Sequence, residues 1–412
     1  MREGWREMAI NSLLDLSIGG VWGSNPGEAD QDVWIVRSTN FRGDGRLDPS
    51  ASVRRSLSAR QINSRQLRTD DILLEKSGGG PNQPVGRVAR VSELDDVTVC
   101  SNFVQMLRPK PGLVNVAYLW LVLWHRHFMG LTLSYQSQTT GIRNLRTKDY
   151  LATPILLPPL DEQRRIVDLI STVDEAIDAA NKVAETARRA RKALLSDLLS
   201  NERAQREGWR EMRLDDIAQI VGGGTPRTSK PDFWNGDVVW LTPTEVVAAE
   251  GTVITDSQRK ITRAGLRSSG ATLLPPNTVL LTSRATVGAV AIAGCELATN
   301  QGFQSLVAND TILPWFLLMW IQHNKGEFTR RASGSTFPEI SRSKVRQIPI
   351  SVPALEEQQQ IVDLIKAVND EIDTAGAVVN RTRALRSALL SDLLSGKHEI
   401  PASYDEVLEL AA

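Results

Sequence analysis

Two stretches of this 412-residue chain place apolar residues at alternating steps of four and three. The first runs through Ile166, Ile170, Val173, Ile177, Ala180, Ala184, Ala187, Arg191, Leu194 and Leu198. The second runs through Ile361, Ile365, Val368, Ile372, Ala375, Val379, Thr382, Arg386, Leu389 and Leu393. A mean step of 3.5 is the heptad seam of a helix that pairs with another helix. Asp161, Glu162, Glu356 and Glu357 sit at the starts, where the helix dipole is positive. Asn201 and Gly396 follow the last turns, where a left-handed residue stops a helix. At ~1.5 Å per residue each helix should be roughly 58 Å long. Neither can bury its own seam, and the simplest partner is the other, antiparallel about a pseudo-twofold. Arg191 and Arg386 interrupt the seams at matching places. Either they fix the register of the pair or they snorkel to its edge.

The two stretches are one sequence used twice. DEQRRIVDLISTVDEAI from Asp161 and EEQQQIVDLIKAVNDEI from Glu356 align at an offset of 195 without a gap. Arg2–Met8 (REGWREM) recurs as Arg206–Met212, so whole halves are duplicated. Ahead of each helix lies a more divergent segment of mixed pattern. In the first, Val33–Val36, Ile72–Leu74 and Val97–Cys100 read as strands and Tyr118–His127 as a buried helix. Ser77–Pro81 and Gln138–Arg143 (QTTGIR) read as polar loops. In the second, Val238–Leu241, Val279–Leu281 and Pro314–Gln322 repeat the plan, with Ser333–Phe337 (SGSTF) where QTTGIR stood. Prolines 154, 158, 349 and 353 deliver each segment, extended, into its helix. The expected fold is α+β: two similar mixed α/β domains separated by two long antiparallel coiled-coil helices. The divisions are a first domain 1–159, a central helix 160–200 and a linker 201–213. A second domain 214–354, a second helix 355–396 and an acidic, frayed tail 397–412 complete the chain.

Composition narrows the function. Cys100 and Cys295 are too few for a disulfide framework or a cysteine zinc site, which suits a cytoplasmic chain. The apolar runs 113–124 and 312–321 are too short to span a membrane. His125, His127, His323 and His398 lie apart, so no metal cluster is expected. Neither a Walker loop nor an Asn-Pro-Pro-aromatic methyltransferase motif is present, which points away from catalysis. Formal charge sums to zero but is uneven: +4 over 1–159, −1 over 160–201, +3 over 202–354 and −6 over 355–412. Local basic patches matter more than the sum for a nucleic-acid partner.

Arg37, Arg42, Arg46, Arg54, Arg55, Arg60, Arg65 and Arg68 crowd a polar stretch opposed only by Asp44 and Asp48. They are candidates to hold phosphates or read guanine, against a solvated, salt-bridged surface. Lys76 and Arg143 border the two loops. In the second half the Gly-rich loop Gly222–Lys230 offers Thr225, Arg227 and Lys230, either near phosphate or as a plain connection. Arg259, Lys260 and Arg284 complete the basic candidates. Gln138 and Gln301 have the chemistry to pair with adenine but are better explained structurally. Trp120, Trp124, Trp315 and Trp320 sit at helical spacing in apolar runs, so they belong to packing.

Taken together, these residues resemble the specificity subunit of a type I restriction–modification system. The resemblance rests on the paired junctions LLPPLDEQRRIVDLI and SVPALEEQQQIVDLI and the paired ends KALLSDLLS and SALLSDLLS. LRTDDILLEKSGG, LLPPNTVLLTSRATVG and TNQGF, in order, support it. It implies two target-recognition domains that each read half of a bipartite, asymmetric site in double-stranded DNA. The helices would act as a ruler and dock two modification subunits carrying S-adenosylmethionine. Restriction subunits would add ATP- and Mg2+-dependent translocation and cleavage. No cofactor would bind this chain, which would be non-catalytic. A coiled-coil adaptor joining two proteins, or a self-sufficient nuclease, are the alternatives.

Overall fold

The computed structural model describes residues 4–406 except 80–82, 140, 285 and 335–337. The chain forms two compact units, 1–179 with 378–412, and 180–377. The long helices run Leu160–Leu198 and Leu355–Leu394, so each unit takes one section of each. In the first unit Ile166 and Ile170 share a core with Leu390 and Leu393. In the second, Leu195 and Leu198 share one with Ile361, Val362 and Ile365. The start of one helix thus packs on the end of the other in both units, which makes the sections antiparallel. Ile177, Ala184, Ala375 and Val379 are also buried, and Val173, Leu194, Val368, Ile372 and Leu389 are half-buried.

The divergent segments share one strand plan. In the first unit Leu14–Gly19, Val104–Pro109, Ile72–Glu75 and Val88–Arg90 form an antiparallel sheet in that order. The second unit orders Ala218–Gly222, Gln304–Ala308, Val279–Leu281 and Val290–Ala293 the same way. It adds Val253–Ile254, parallel, at the edge. Beside each lies a three-stranded sheet whose third strand is parallel to the central one. These are Val53–Leu57, Gln31–Val36 and Thr98–Cys100 in the first unit, and Arg259–Ile261, Trp234–Leu241 and Leu297–Thr299 in the second. The predicted helices appear as Val116–Phe128 and Pro314–His323. Tyr118, Leu119 and Leu123, and Phe316, Leu317 and Ile321, are fully buried, as the apolar runs required.

Four expectations change. Gln138–Arg143 is not a loop: Gln136–Thr139 and Ile142–Leu145 form a hairpin that Ser77–Gly78 joins as a third strand. Its arms are short and largely polar, so no apolar alternation announced them; Gly141 turns at φ 86°. Thr140, Gly80 and Pro81, and Ser335–Phe337 of SGSTF, lie outside the described residues. The stretch 201–213 is not a free linker. Asn201–Arg206 is a helix and Arg210–Arg213 pairs antiparallel with Pro349–Val352. Asn201 therefore begins a helix rather than stopping one, because the Ser200 hydroxyl accepts the Arg203 N–H at 3.1 Å and caps it. Gly396 does take the left-handed stop, at φ 71°. The tail is not frayed over 397–406: Ile400 is buried, and Tyr404 donates to Asp168 at 3.0 Å. Arg165 holds Asp405 at 3.0 Å, a basic partner on the first helix for an acidic tail.

Candidate nucleic-acid interface

Both domains are mounted on their helices by the same small set of residues. The strand Arg6–Ala9 pairs with Pro154–Leu157, just as Arg210–Arg213 pairs with Pro349–Val352. This returns Trp5 and Trp209 to the helix starts, where their indoles donate to Glu162 at 2.9 Å and Glu357 at 3.1 Å. The next residue is a buried glutamine in each copy. Gln163 accepts the Asn115 N–H at 2.8 Å and donates to the Pro158 carbonyl at 2.8 Å. Gln358 accepts the Leu313 N–H at 2.8 Å and donates to the Thr311 and Pro353 carbonyls at 3.0 and 2.9 Å. The duplicated letters therefore tie the extended segment, the long helix and the start of the buried domain helix together.

The mounted domain gathers polar side chains at one edge of its larger sheet. In the second unit Gly222 pairs with Gln304, and the Gly224 N–H donates to the Thr299 carbonyl at 2.9 Å. A Cβ on Gly223 would lie 2.1 Å from the Asn300 oxygen, so the glycine is required by close backbone approach. That accounts for the Gly-rich loop as packing within the domain. Next to it the Thr225 hydroxyl donates to Gln301, and Arg342 Nε reaches Gln304 at 3.4 Å. Ser283 bonds Gly302, which brings Arg284 to the same edge, paired with Glu339 at 2.8 Å. The first unit builds the equivalent edge from other letters. Gly19 pairs with Gln105, and a Cβ on Gly20 would lie 2.2 Å from the Cys100 oxygen. Lys76 bonds Phe103, Arg65 Nε donates to the Gly19 carbonyl at 3.1 Å, and Arg143 lies opposite Gly78. Phe103 is 45% exposed there.

The other basic candidates are not brought to that edge as one cluster. Arg42 pairs with Asp44 at 3.2 Å and Arg46 with Asp178 of the first long helix at 2.8 Å. The hydrogen bond to Asp178 raises the Arg46 pKa. The turn between them gives its Gly43 and Gly45 carbonyls to the Trp124 and Trp120 indoles of the domain helix, so it packs within the domain while Arg46 reaches the long helix. Arg54 lies over Trp34, and Arg55 over Trp22 at 4.8 Å with a hydrogen bond to Asn25. Arg60 is exposed on the short helix Ala59–Arg65. In the second unit Arg259 covers Trp234 at 3.8 Å, Lys230 lies 5.5 Å from Phe233, and Lys260 pairs with Asp256 at 2.9 Å. Arg227 is exposed, its carbonyl taken by the Trp234 indole. Arg65, one of the basic stretch, does reach the edge; Gln105, Gln304 and Arg342 are edge residues that were not singled out. TNQGF was a signal for Gln304, two residues beyond its glycine; nothing local marked Arg342.

Burial lowers the pKa of His125, His127 and His323, and among the described residues no three metal-binding side chains gather. Among the described residues no helix is long and apolar enough to cross a membrane.

Two domains of one plan, each bolted to a long helix and each presenting a polar sheet edge, define a duplicated two-domain protein. The family model for the type I restriction modification DNA specificity domain matches residues 3–187 and again 206–377, and the chain belongs to that family. The MjaIX specificity subunit of a type I restriction enzyme from Methanocaldococcus jannaschii is 35% identical over 167 residues, 40% of this chain and 39% of that one. The putative MjaX specificity subunit of the same organism is 22% identical over 328 residues, 76% of this chain and 75% of that one. The Escherichia coli EcoR124I/EcoR124II specificity subunit is 28% identical over 168 residues, 39% of this chain and 40% of that one. Among solved structures, a chain from a type I R-M system assembly superposes with a TM-score of 0.64 at 18% identity, over 95% of this chain and 98% of that one. The S subunit from M. genitalium gives 0.54 at 15%, over 95% and 96%.

Proposed function

We propose that this chain reads DNA sequence for a type I restriction–modification complex and performs no chemistry of its own. Each domain takes one half of a bipartite, asymmetric target in duplex DNA. The paired helices, as a coiled coil, dock two modification subunits, and restriction subunits join them in the cytoplasm. S-adenosylmethionine, ATP and Mg2+ belong to those partners. The observation that carries the reading is the family domain found twice, on two units whose sheets share an order while their edge residues differ. Shared scaffolds with unlike edges are what two different half-sites ask for. Phosphates would be held by the basic residues Arg54, Arg55, Arg60, Arg227, Lys230, Arg259 and Lys260. Base edges would be approached from the sheet edges carrying Lys76 and Arg143, and Thr225 and Arg284.

The test is a genome-wide map of N6-methyladenine in the source cell with and without the gene. Loss of one gapped motif on both strands is expected. An unchanged map in cells that express an active partner methyltransferase would refute the reading and favour an adaptor that joins two proteins.

A further inference from the structure

Arg386 links three elements of the first unit. It belongs to the second long helix, is 7% exposed, and holds Asp174 of the first long helix through two hydrogen bonds, one of 3.0 Å. Its guanidinium also lies 4.6 Å from the ring centroid of Trp124, on the domain helix Val116–Phe128. The second unit repeats the arrangement in other letters. Arg191, on the first long helix, donates to Asn369 of the second at 2.6 Å and to Gln322 of the domain helix Pro314–His323 at 3.0 Å. Arg191 and Arg386 are 195 apart, as are Asp174 and Asn369. Two glycines with positive φ make room: a Cβ on Gly45 would lie 2.6 Å from Trp124, and one on Gly251 2.8 Å from Gln322.

Snorkelling does not describe Arg386, since a snorkelling guanidinium ends in water. Helix pairing alone does not ask for it either, because buried ion pairs are often matched or bettered by apolar side chains of similar volume. What an arginine supplies is a planar fork that meets two partners in fixed directions while its face stacks on an aromatic ring. In each unit the arginine comes from the helix that does not follow directly from the domain it touches.

We propose that Arg386 and Arg191 are positioning residues that seat each recognition domain on both long helices at once. The consequence for DNA rests on the reading above: a domain that rocks on its seat loses its half of the site. The seats are unequal. Asp174 gives the first a charged partner, whereas Arg191 meets no carboxylate among the described residues and burial lowers its pKa.

Hydrogen exchange on the full-length chain tests the seats. Arg386→Met should speed exchange of amides 116–128 by at least about tenfold and leave 314–323 unchanged; Arg191→Met should do the reverse. Arg386→Lys, which keeps charge and loses the fork, should give a smaller rise in the same segment if the methionine variant folds poorly. Asp174→Asn should stay within about threefold of wild type, because the sister seat already works with asparagine. Unchanged exchange in the facing domain helix, or an equal rise in both domain helices, overturns the proposal. A nuclease footprint of the complex with its modification subunits separates the two readings. Footprints trimmed at opposite ends by the two methionine variants support both. The exchange pattern without any wild-type footprint leaves the seats standing and refutes DNA reading; an intact wild-type footprint without the exchange pattern refutes the seats.

Discussion

Gln358→Leu removes one amide from the second domain's mounting and keeps the volume nearly constant. The side chain is 0% exposed and makes three hydrogen bonds, to the Leu313 N–H at 2.8 Å and the Thr311 and Pro353 carbonyls at 3.0 and 2.9 Å. Leucine satisfies none of them. A buried group left without its partner costs about 1–3 kcal/mol, at the upper end for an N–H and less for a carbonyl with a second lone pair. Leucine recovers about 1–2 kcal/mol through apolar burial. The net loss should be about 3 kcal/mol. The two units need not unfold together in a chain of this size, so scanning calorimetry of the full-length protein is the assay. At roughly 2–4 °C per kcal/mol for a unit of this size, the transition of the second unit should fall by roughly 6–12 °C while the other stays in place. Gln163→Leu should mirror the effect in the first unit. Gln358→Glu adds a sign. Its carboxyl would face two carbonyls in a buried site, which raises its folded pKa above the unfolded ~4.3. Protonated, it has one O–H for the two carbonyls, so stability should be highest at low pH but about 1 kcal/mol short of wild type, and be lost further as pH rises between the unfolded and folded values. A drop below about 2 °C for the leucine variant, or equal shifts of both transitions, would refute the view that this glutamine is the mounting of one domain.

The remaining predictions use other parts of the fold. Burial pushes the Cys100 thiol up to about 12, while Cys295 is partly exposed, so a thiol reagent at pH 8 should label one cysteine in the native chain and two in denaturant. Ile400→Ala should destabilise the first unit by about 2–4 kcal/mol in urea unfolding, because the tail is core there; a frayed tail would give no change. Gly223→Ala should cost at least about 2 kcal/mol, since its Cβ would overlap the Asn300 carbonyl, whereas Gly270→Ala, with open space around it, should stay within about 0.5 kcal/mol. Arg46→Ala should change stability by less than about 1 kcal/mol, because both partners of its ion pair are half exposed.

The long helices were legible because a seam over some forty residues repeats one physical requirement many times. Positions 166, 170 and 177, and 361, 365 and 375, are buried as the period demanded. Their antiparallel pairing followed from duplication, since neither seam had another partner of equal length. The strands at 33–36, 72–74 and 279–281 were legible for the same reason, as short apolar runs with no exposed face. The hairpin 136–145 was not, because a polar two-stranded ribbon gives its sequence no alternation to show. The linker and the tail were misread from their charge, since Trp209, Ile400 and Tyr404 are single residues whose partners lie far along the chain.

What the sequence determined by itself is the duplication, the class of fold and the family, because each is written in patterns longer than any one contact. What only the tertiary structure decided is where the side chains meet. Arg46 and Arg65 stand nineteen positions apart in one basic stretch, yet one serves the helix mounting and the other the sheet edge. Gln304 was flagged only by the neighbouring TNQGF and Arg342 by nothing local, yet the two meet at that edge. Arg386 and Arg191 looked like flaws in a seam and turn out to bridge three elements each. The reason is physical. Periodicity reports which face of an element is buried, and it carries no record of which distant backbone or side chain fills the space opposite.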